Sequence, residues 1–162
     1  RRTSSGGGDM GTSGNARITS IQLCVGRREP MRQVDSAKAI AGFGIEGDAH
    51  AVSDGPRTAR QVLLMDTETL DEFGLTPSQV RENITTAGFA PGSVAVGQRL
   101  AVGDAVVLEV TGDCAPCGFI DEIRPGLREK LEGRRGLLAT VVEGGTMSVG
   151  DPIRAVEPAP AG

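Results

Sequence analysis

Aromatic side chains are almost missing from this 162-residue chain, which has four Phe and neither Trp nor Tyr. So few stacking platforms argue against a single-stranded nucleic-acid binder. A net charge of −4 removes the basic footprint that a nucleic-acid coat or an anionic-membrane binder requires. No apolar run approaches the ~20 residues of a membrane-spanning helix. Nor does a charged start lead into an apolar block and a small-residue cleavage site, as an export signal would. Three cysteines, Cys24, Cys114 and Cys117, are too few for a disulfide framework and point to a reducing, cytoplasmic location. His50 is the single histidine, so any imidazole-based catalytic pair has to use it.

Glycine is what the chain has in excess: 24 residues, about twice the usual share. The length suits one domain, and such a chain buries roughly 70% of its unfolded surface. Residues 1–16 carry no hydrophobic periodicity and read as a flexible tail; residues 157–162 read as a frayed end. Between them, residues 17–156 form the domain. Short β-rich runs recur at Ile18–Val25, Gln61–Met65, Asn83–Thr86, Ala105–Val110, Leu137–Val142 and Met147–Val149. Gln61–Met65 is apolar enough for a strand buried on both faces. Gly144-Gly145 between the last two runs is a hairpin signal. Two short helices are expected: one capped by Asp66 and ended by Gly74, the other from Pro125 to Leu131. Thr76-Pro77-Ser78-Gln79 has capping-box spacing. The pattern predicts a mainly β fold, barrel or sandwich, with a few short helices.

Several motifs could carry chemistry. Gly42-Phe43-Gly44-Ile45-Glu46-Gly47 fits the dinucleotide fingerprint, but Ser53-Asp54-Gly55-Pro56 follows too soon for the helix that fingerprint needs. Cys114-Ala115-Pro116-Cys117 is open to a metal-site reading, a redox-pair reading, a single reactive thiol, or two inert cysteines. A zinc site needs four ligands, and only Cys24 and His50 remain to complete one. Asp48 and Asp54 flank His50 and either could orient its ring. Arg81-Glu82-Asn83 sets a planar anion-binding fork and an amide beside a strand start, or else an ordinary surface ion pair. Arg134-Arg135 either holds an anion or sits on the solvated end of a helix.

Taken in order, these segments resemble the MOSC domain, named for the C-terminal domain of molybdenum-cofactor sulfurases. The matching residues are Gly44-Ile45-Glu46-Gly47-Asp48-Ala49-His50, Arg60-Gln61-Val62-Leu63-Leu64, Arg81-Glu82-Asn83-Ile84, Gly103-Asp104, Pro116-Cys117, Arg135-Gly136, Gly144-Gly145 and Val149-Gly150-Asp151. The resemblance covers roughly residues 17–156. It implies a pyruvate-kinase-like β-barrel with a cleft for the molybdopterin form of the molybdenum cofactor, or for sulfur transfer. It makes Cys117 the critical thiol, either as molybdenum ligand or as persulfide site. Arg81 and Asn83 match the family's cofactor-contacting pair, Arg135 would help hold the anionic part, and Asp48 or His50 would line the cleft. Gly118-Phe119-Ile120, where many relatives are polar, implies a more apolar outer pocket.

The resemblance further implies an enzyme of sulfurtransferase type, or a molybdenum-dependent reductase of N-hydroxylated compounds. Covalent pyridoxal phosphate is not expected, because Lys38 and Lys130 are the only lysines and neither lies in a matching motif. Sulfur would then come from an external cysteine desulfurase, with a molybdoenzyme or redox partner downstream. Two other classes stay open at this point: a non-catalytic cofactor carrier or chaperone, and a zinc-stabilised β module.

Overall fold

The computed structural model describes residues 12–26, 28–115 and 118–156, with side chains from residue 16. Pro116 and Cys117 therefore lie outside the described residues, as do residues 1–11 of the expected tail and the expected frayed end. The chain order begins with β1 (Thr12–Leu23), β2 (Arg32–Val34), β3 (Ser36–Ile40), β4 (Gly44–Ile45), β5 (Val62–Asp66), α1 (Thr67–Glu72) and β6 (Ile84–Phe89). It continues with β7 (Arg99–Val102), β8 (Val106–Asp113), α2 (Gly118–Ile123), α3 (Leu127–Lys130), β9 (Leu137–Glu143), β10 (Gly145–Ser148) and β11 (Ile153–Val156). The mainly β fold with a few short helices is the one the sequence predicts. β1, however, starts at Thr12, inside the segment read as a tail, and Ala16 is already buried.

Eight strands form one sheet in the order β11-β7-β8-β9-β5-β6-β1-β2, antiparallel except for the parallel β5–β6 pair. Its two sides approach each other through an Arg17–Pro152 bridge, with Ile18 N–H donating to Asp151 O (2.9 Å) and Gly150 N–H to Ile18 O (2.8 Å). The sheet curls on itself but is joined there by a bridge, not by a full ladder. A second sheet of three strands runs β10-β3-β4.

β5 shows why Val62–Met65 are all apolar: every residue of the strand is buried, with Asp66 at its end turned to capping α1. Val62 and Leu64 enter the main core inside the curled sheet, with Ile18, Ile84, Leu108 and Val141. Met65 faces outward into a second core closed by the helices, with Leu70, Ile120, Leu127 and Leu131. Leu63, also outward, makes a third and smaller cluster with Cys114 and Leu138. Alternate side chains of one strand thus serve different cores, as the twofold period of a strand requires.

The Gly144-Gly145 pair does not make the expected hairpin. β10 pairs with β3, not with β9, so the glycines carry the chain from the large sheet to the small one. A Cβ on Gly144 would stand 2.7 Å from Ala39 O, and one on Gly145 (φ 153°) would stand 2.6 Å from Ala105 Cβ. The glycines permit close passage between sheets, a use the sequence does not distinguish from a turn. Helix α1 is capped as expected, Asp66 accepting from Thr69 N–H, and Gly74 (φ 68°) follows its end. Thr76 and Gln79 make half of a capping box: Thr76 N–H donates to Gln79 Oε1 at 2.8 Å, while Gln79 N–H donates to the Thr76 carbonyl and not to its hydroxyl. Helix α3 covers Leu127–Lys130 within the expected span, while α2 was not foreseen.

Candidate functional site

The third cluster forms the floor of a cavity of about 170 Å³ on the outer face of β5 and β9. Leu63, Cys114 and Leu138 supply its apolar surface and Phe119, from the start of α2, adds to it. Phe119 makes one side apolar, in line with the expectation from Gly118-Phe119-Ile120. The polar lining consists of His50, Arg60, Arg81, Asn83 and Arg135. Four of the residues singled out from the sequence therefore meet here, from segments as far apart as 50 and 135. Asp48, the fifth, stands behind His50 and holds it.

Asp48 has a fully buried side chain with its acceptors engaged. Oδ1 accepts from Cys24 N–H (2.7 Å) and from Asn83 Nδ2 (2.9 Å). Oδ2 accepts from His50 N–H (3.0 Å) and lies 3.2 Å from His50 Nδ1. This contact orients the imidazole, as the spacing of Asp48 and His50 suggests; Asp54 has no such contact among those observed. Asn83 is equally committed. Its Nδ2 also donates to Gln22 O (3.2 Å), and its Oδ1 accepts from Leu63 N–H (3.0 Å). A buried amide with both ends bonded ties β1, β5 and β6 together and fixes one end of the cavity.

Arg81 sits on the rim with a positive φ of 64°, just after Ser78 at 80°. Non-glycine residues rarely adopt this region, and they do so where surrounding contacts hold them. The hold here is Glu82. Its buried carboxylate accepts from Ser78 N–H at 3.1 Å through both oxygens and from Thr85 Oγ1 at 2.8 Å. Burial pushes the Glu82 carboxyl above the usual range, against these hydrogen bonds and the nearby Arg135 charge. Arg81 reaches back over the 24–29 loop, with Nη1 donating to Glu29 O (3.1 Å) and Nη2 to Gly26 O (3.0 Å) and Cys24 Sγ (3.3 Å).

Arg134 and Arg135 part company. Arg134 is exposed, forks onto Glu72 at 2.7 and 2.9 Å, and lies 5.3 Å over the Phe73 ring. Arg135 turns inward and is only 5% exposed. Its Nη2 donates to Val80 O (2.7 Å), whereas Nε and Nη1 are buried with no hydrogen-bond partner. Both arginines lie in the bend that leads into β9, where Gly136 next in line (φ 117°) lets the backbone pass close to Leu64.

A second, larger cavity of about 450 Å³ opens by Asp66, Asp113 and Arg134. Asp66 caps α1 and Arg134 is paired with Glu72, so its charged groups are largely engaged within the fold. The smaller cavity is the better candidate because its lining contains three arginines and no carboxylate. Sequence reasoning missed Arg60, exposed at its rim, although Arg60-Gln61 belongs to the resemblance. Gln61 beside it is a buried staple, bonded to Val52, Thr140 and Val141. It also missed the cavity-lining position of Cys114. Among the described residues no group of three or more His, Cys, Asp or Glu gathers to hold a metal ion. No helix among them is long and apolar enough to cross a membrane.

The fold is shared with solved structures. The YuaD protein from Bacillus subtilis superposes with a TM-score of 0.75 at 20% identity, covering 88% of this chain and 96% of that one. YiiM from Geobacillus stearothermophilus gives 0.68 at 19% identity, covering 88% and 75%; YiiM from Escherichia coli gives 0.63 at 20%, covering 88% and 71%. No curated protein matches the chain. The MOSC domain profile matches residues 49–154, a span that holds His50, Arg81, Asn83, Cys117 and Arg135 and begins one residue after Asp48. With most of its length in that match, the chain belongs to the MOSC domain family, which is associated with the molybdenum cofactor.

Proposed function

We propose that the small outer cavity is the place where this chain binds the molybdenum cofactor or receives a sulfane sulfur, with Cys117 as the working thiol. The observation that carries the reading is the arginine lining without a carboxylate, above all the buried Nε and Nη1 of Arg135. Such donors fit the anionic end of a molybdopterin. Arg135 and Arg81 would hold that end; His50, oriented by Asp48, would line the cleft, and Asn83 would set its shape. When bound, the cofactor supplies two-electron oxygen-atom chemistry at molybdenum.

Cys117 lies three residues after Cys114, whose side chain lines the cavity. As molybdenum ligand it would donate a thiolate. As sulfur carrier it would attack the terminal sulfur of a persulfide on an external cysteine desulfurase. The new Cys117 S–S bond forms as the donor's S–S bond breaks, and the donor leaves as a thiolate. A molybdoenzyme or redox partner would then take up the sulfur or the electrons.

The test is to purify the chain from a host that makes the cofactor and to measure molybdenum, pterin and persulfide. The reading expects one of these loads in wild type, loss in Cys117→Ser and retention in Cys114→Ser. Absence of all three from wild type, or equal loading in both variants, overturns it. Turnover of an N-hydroxylated substrate or a sulfur donor separates an enzyme from a carrier, which binds stoichiometrically without turnover.

A further inference from the structure

We infer that Arg135 is the core of a binding site for one small tetrahedral oxyanion, which acts whether or not a cofactor is present. The guanidinium keeps its proton at any physiological pH and carries five N–H donors. Nε has one of these and Nη1 two, and in Arg135 all of them are buried with no acceptor. Buried polar groups are nearly always bonded, so donors left over in a cavity wall point to a missing acceptor. Only Nη2, on Val80 O, is engaged.

The nearest candidate within the fold is Glu82, and it does not fill the role. Its carboxylate oxygens accept from Ser78 and Thr85, and no hydrogen bond joins it to Arg135. Burial also favours its neutral form, which weakens it as a counter-charge. The remaining way to these donors is the cavity that Arg135 lines, where Arg60 and Arg81 add positive charge and no carboxylate opposes it. At about 170 Å³ the cavity has room for a sulfate- or phosphate-sized group beside Arg135. The shared chemistry is a compact oxyanion with acceptors for a guanidinium. Its source is either a free ion, such as sulfate, thiosulfate or phosphate, or the end group of a phosphate ester.

Calorimetric titration of the full cofactor-free chain tests this with sulfate, inorganic phosphate and methyl phosphate, ionic strength being held constant with chloride. The expected result is saturable one-to-one binding of sulfate or phosphate. Affinity should fall at least tenfold in Arg135→Gln and stay unchanged in Arg134→Gln. Methyl phosphate binding as well as phosphate identifies the end group of a larger ligand; its exclusion identifies a free ion. Should Arg135→Gln fail to fold, the double variant Arg135→Gln/Glu82→Gln, which removes both buried charges, takes its place. No saturable binding in wild type, or wild-type affinity in any folded Arg135 variant, overturns the inference and leaves Arg135 as a counter-charge for Glu82. Loss of cofactor with retained sulfate binding would break only the function proposed above, and the reverse result would break only this one.

Discussion

The two ends of the outer cavity are built on opposite principles. At the Asp48–Asn83 end the polar groups are used up within the fold: the carboxylate serves Cys24, His50 and Asn83, and the amide serves three separate segments. At the Arg135 end the protein leaves buried donors unspent. Saturation makes scaffold, because every bonded group resists movement and none is left for a ligand. Unspent donors make a site, because their burial is costly until something enters. Asn83, expected from the family resemblance to contact the cofactor, has its amide committed within the fold; under the proposed function it would act as a positioning residue and the contact would fall to the arginines.

The sharpest way to break the comparison is to remove the scaffold. Asp48→Ala strands the buried Cys24 N–H and the Asn83 amide, and each unsatisfied buried donor costs ~1–3 kcal/mol. Urea denaturation should show a loss of about 2–6 kcal/mol, with Asp48→Asn falling short of that. A change within error would show that Asp48 is not the fastener described here. Gly136→Ala comes next. Its Cβ would meet Leu64 O at 2.5 Å and its φ of 117° suits only glycine, so a loss of about 1–3 kcal/mol is expected. Because Gly136 fixes the path of Arg135, oxyanion binding should weaken along with stability. Stability lost with affinity kept would separate the two.

Arg81→Lys sharpens the ligand side. It keeps the charge but replaces a fork by a point charge, and bonds to charged groups are worth ~1.5–3 kcal/mol. Cofactor affinity should drop roughly ten- to a hundredfold. Its grip on Gly26 O and Glu29 O should also loosen, which hydrogen exchange in the 24–29 loop would report. Unchanged affinity in a folded variant would remove Arg81 from the site and favour the sulfur-carrier reading, which needs no phosphate fork.

Glu82 gives a pH signature. Burial raises its folded pKa above the ordinary carboxylate range, so the folded state holds the proton longer than the unfolded chain. Stability from this group is present at low pH and declines as pH rises from the ordinary carboxylate range through the raised folded value. Denaturation midpoints measured across that range should fall in wild type and stay flatter in Glu82→Gln; parallel profiles would contradict the assignment. The smallest effect is expected at Arg134→Ala. Its pair with Glu72 is solvent-exposed, and the midpoint should stay where it is.

Much of this was legible in the sequence, for reasons that differ by element. β5 announced itself because four consecutive apolar residues, Val62 to Met65, have no other use in a short strand. Helix α1 was legible through its cap, since Asp66 and Gly74 act locally. The glycine pair at 144–145 was misread because a glycine needed for close approach to Ala39 has the same letter as one needed for a turn. Helix α2 opens in sequence on Cys117-Gly118, which is no helix-start signal, and its burial against α3 is tertiary information. At the site, the resemblance gathered His50, Arg81, Asn83 and Arg135, yet it could not tell a spent amide from an unspent guanidinium. That distinction lives in partners: Arg134 and Arg135 are the same residue type side by side, one paired with Glu72 and the other buried without it.

One experiment reads both ends of the cavity at once. In a proton–nitrogen NMR titration of the cofactor-free chain with phosphate, the Arg135 Nε–H and the Asn83 side-chain amide report separately. The account predicts a saturable shift of the Arg135 Nε–H with the Asn83 amide nearly still. Movement of the Asn83 amide while Arg135 stays fixed would contradict it, placing the ligand at the end described here as scaffold.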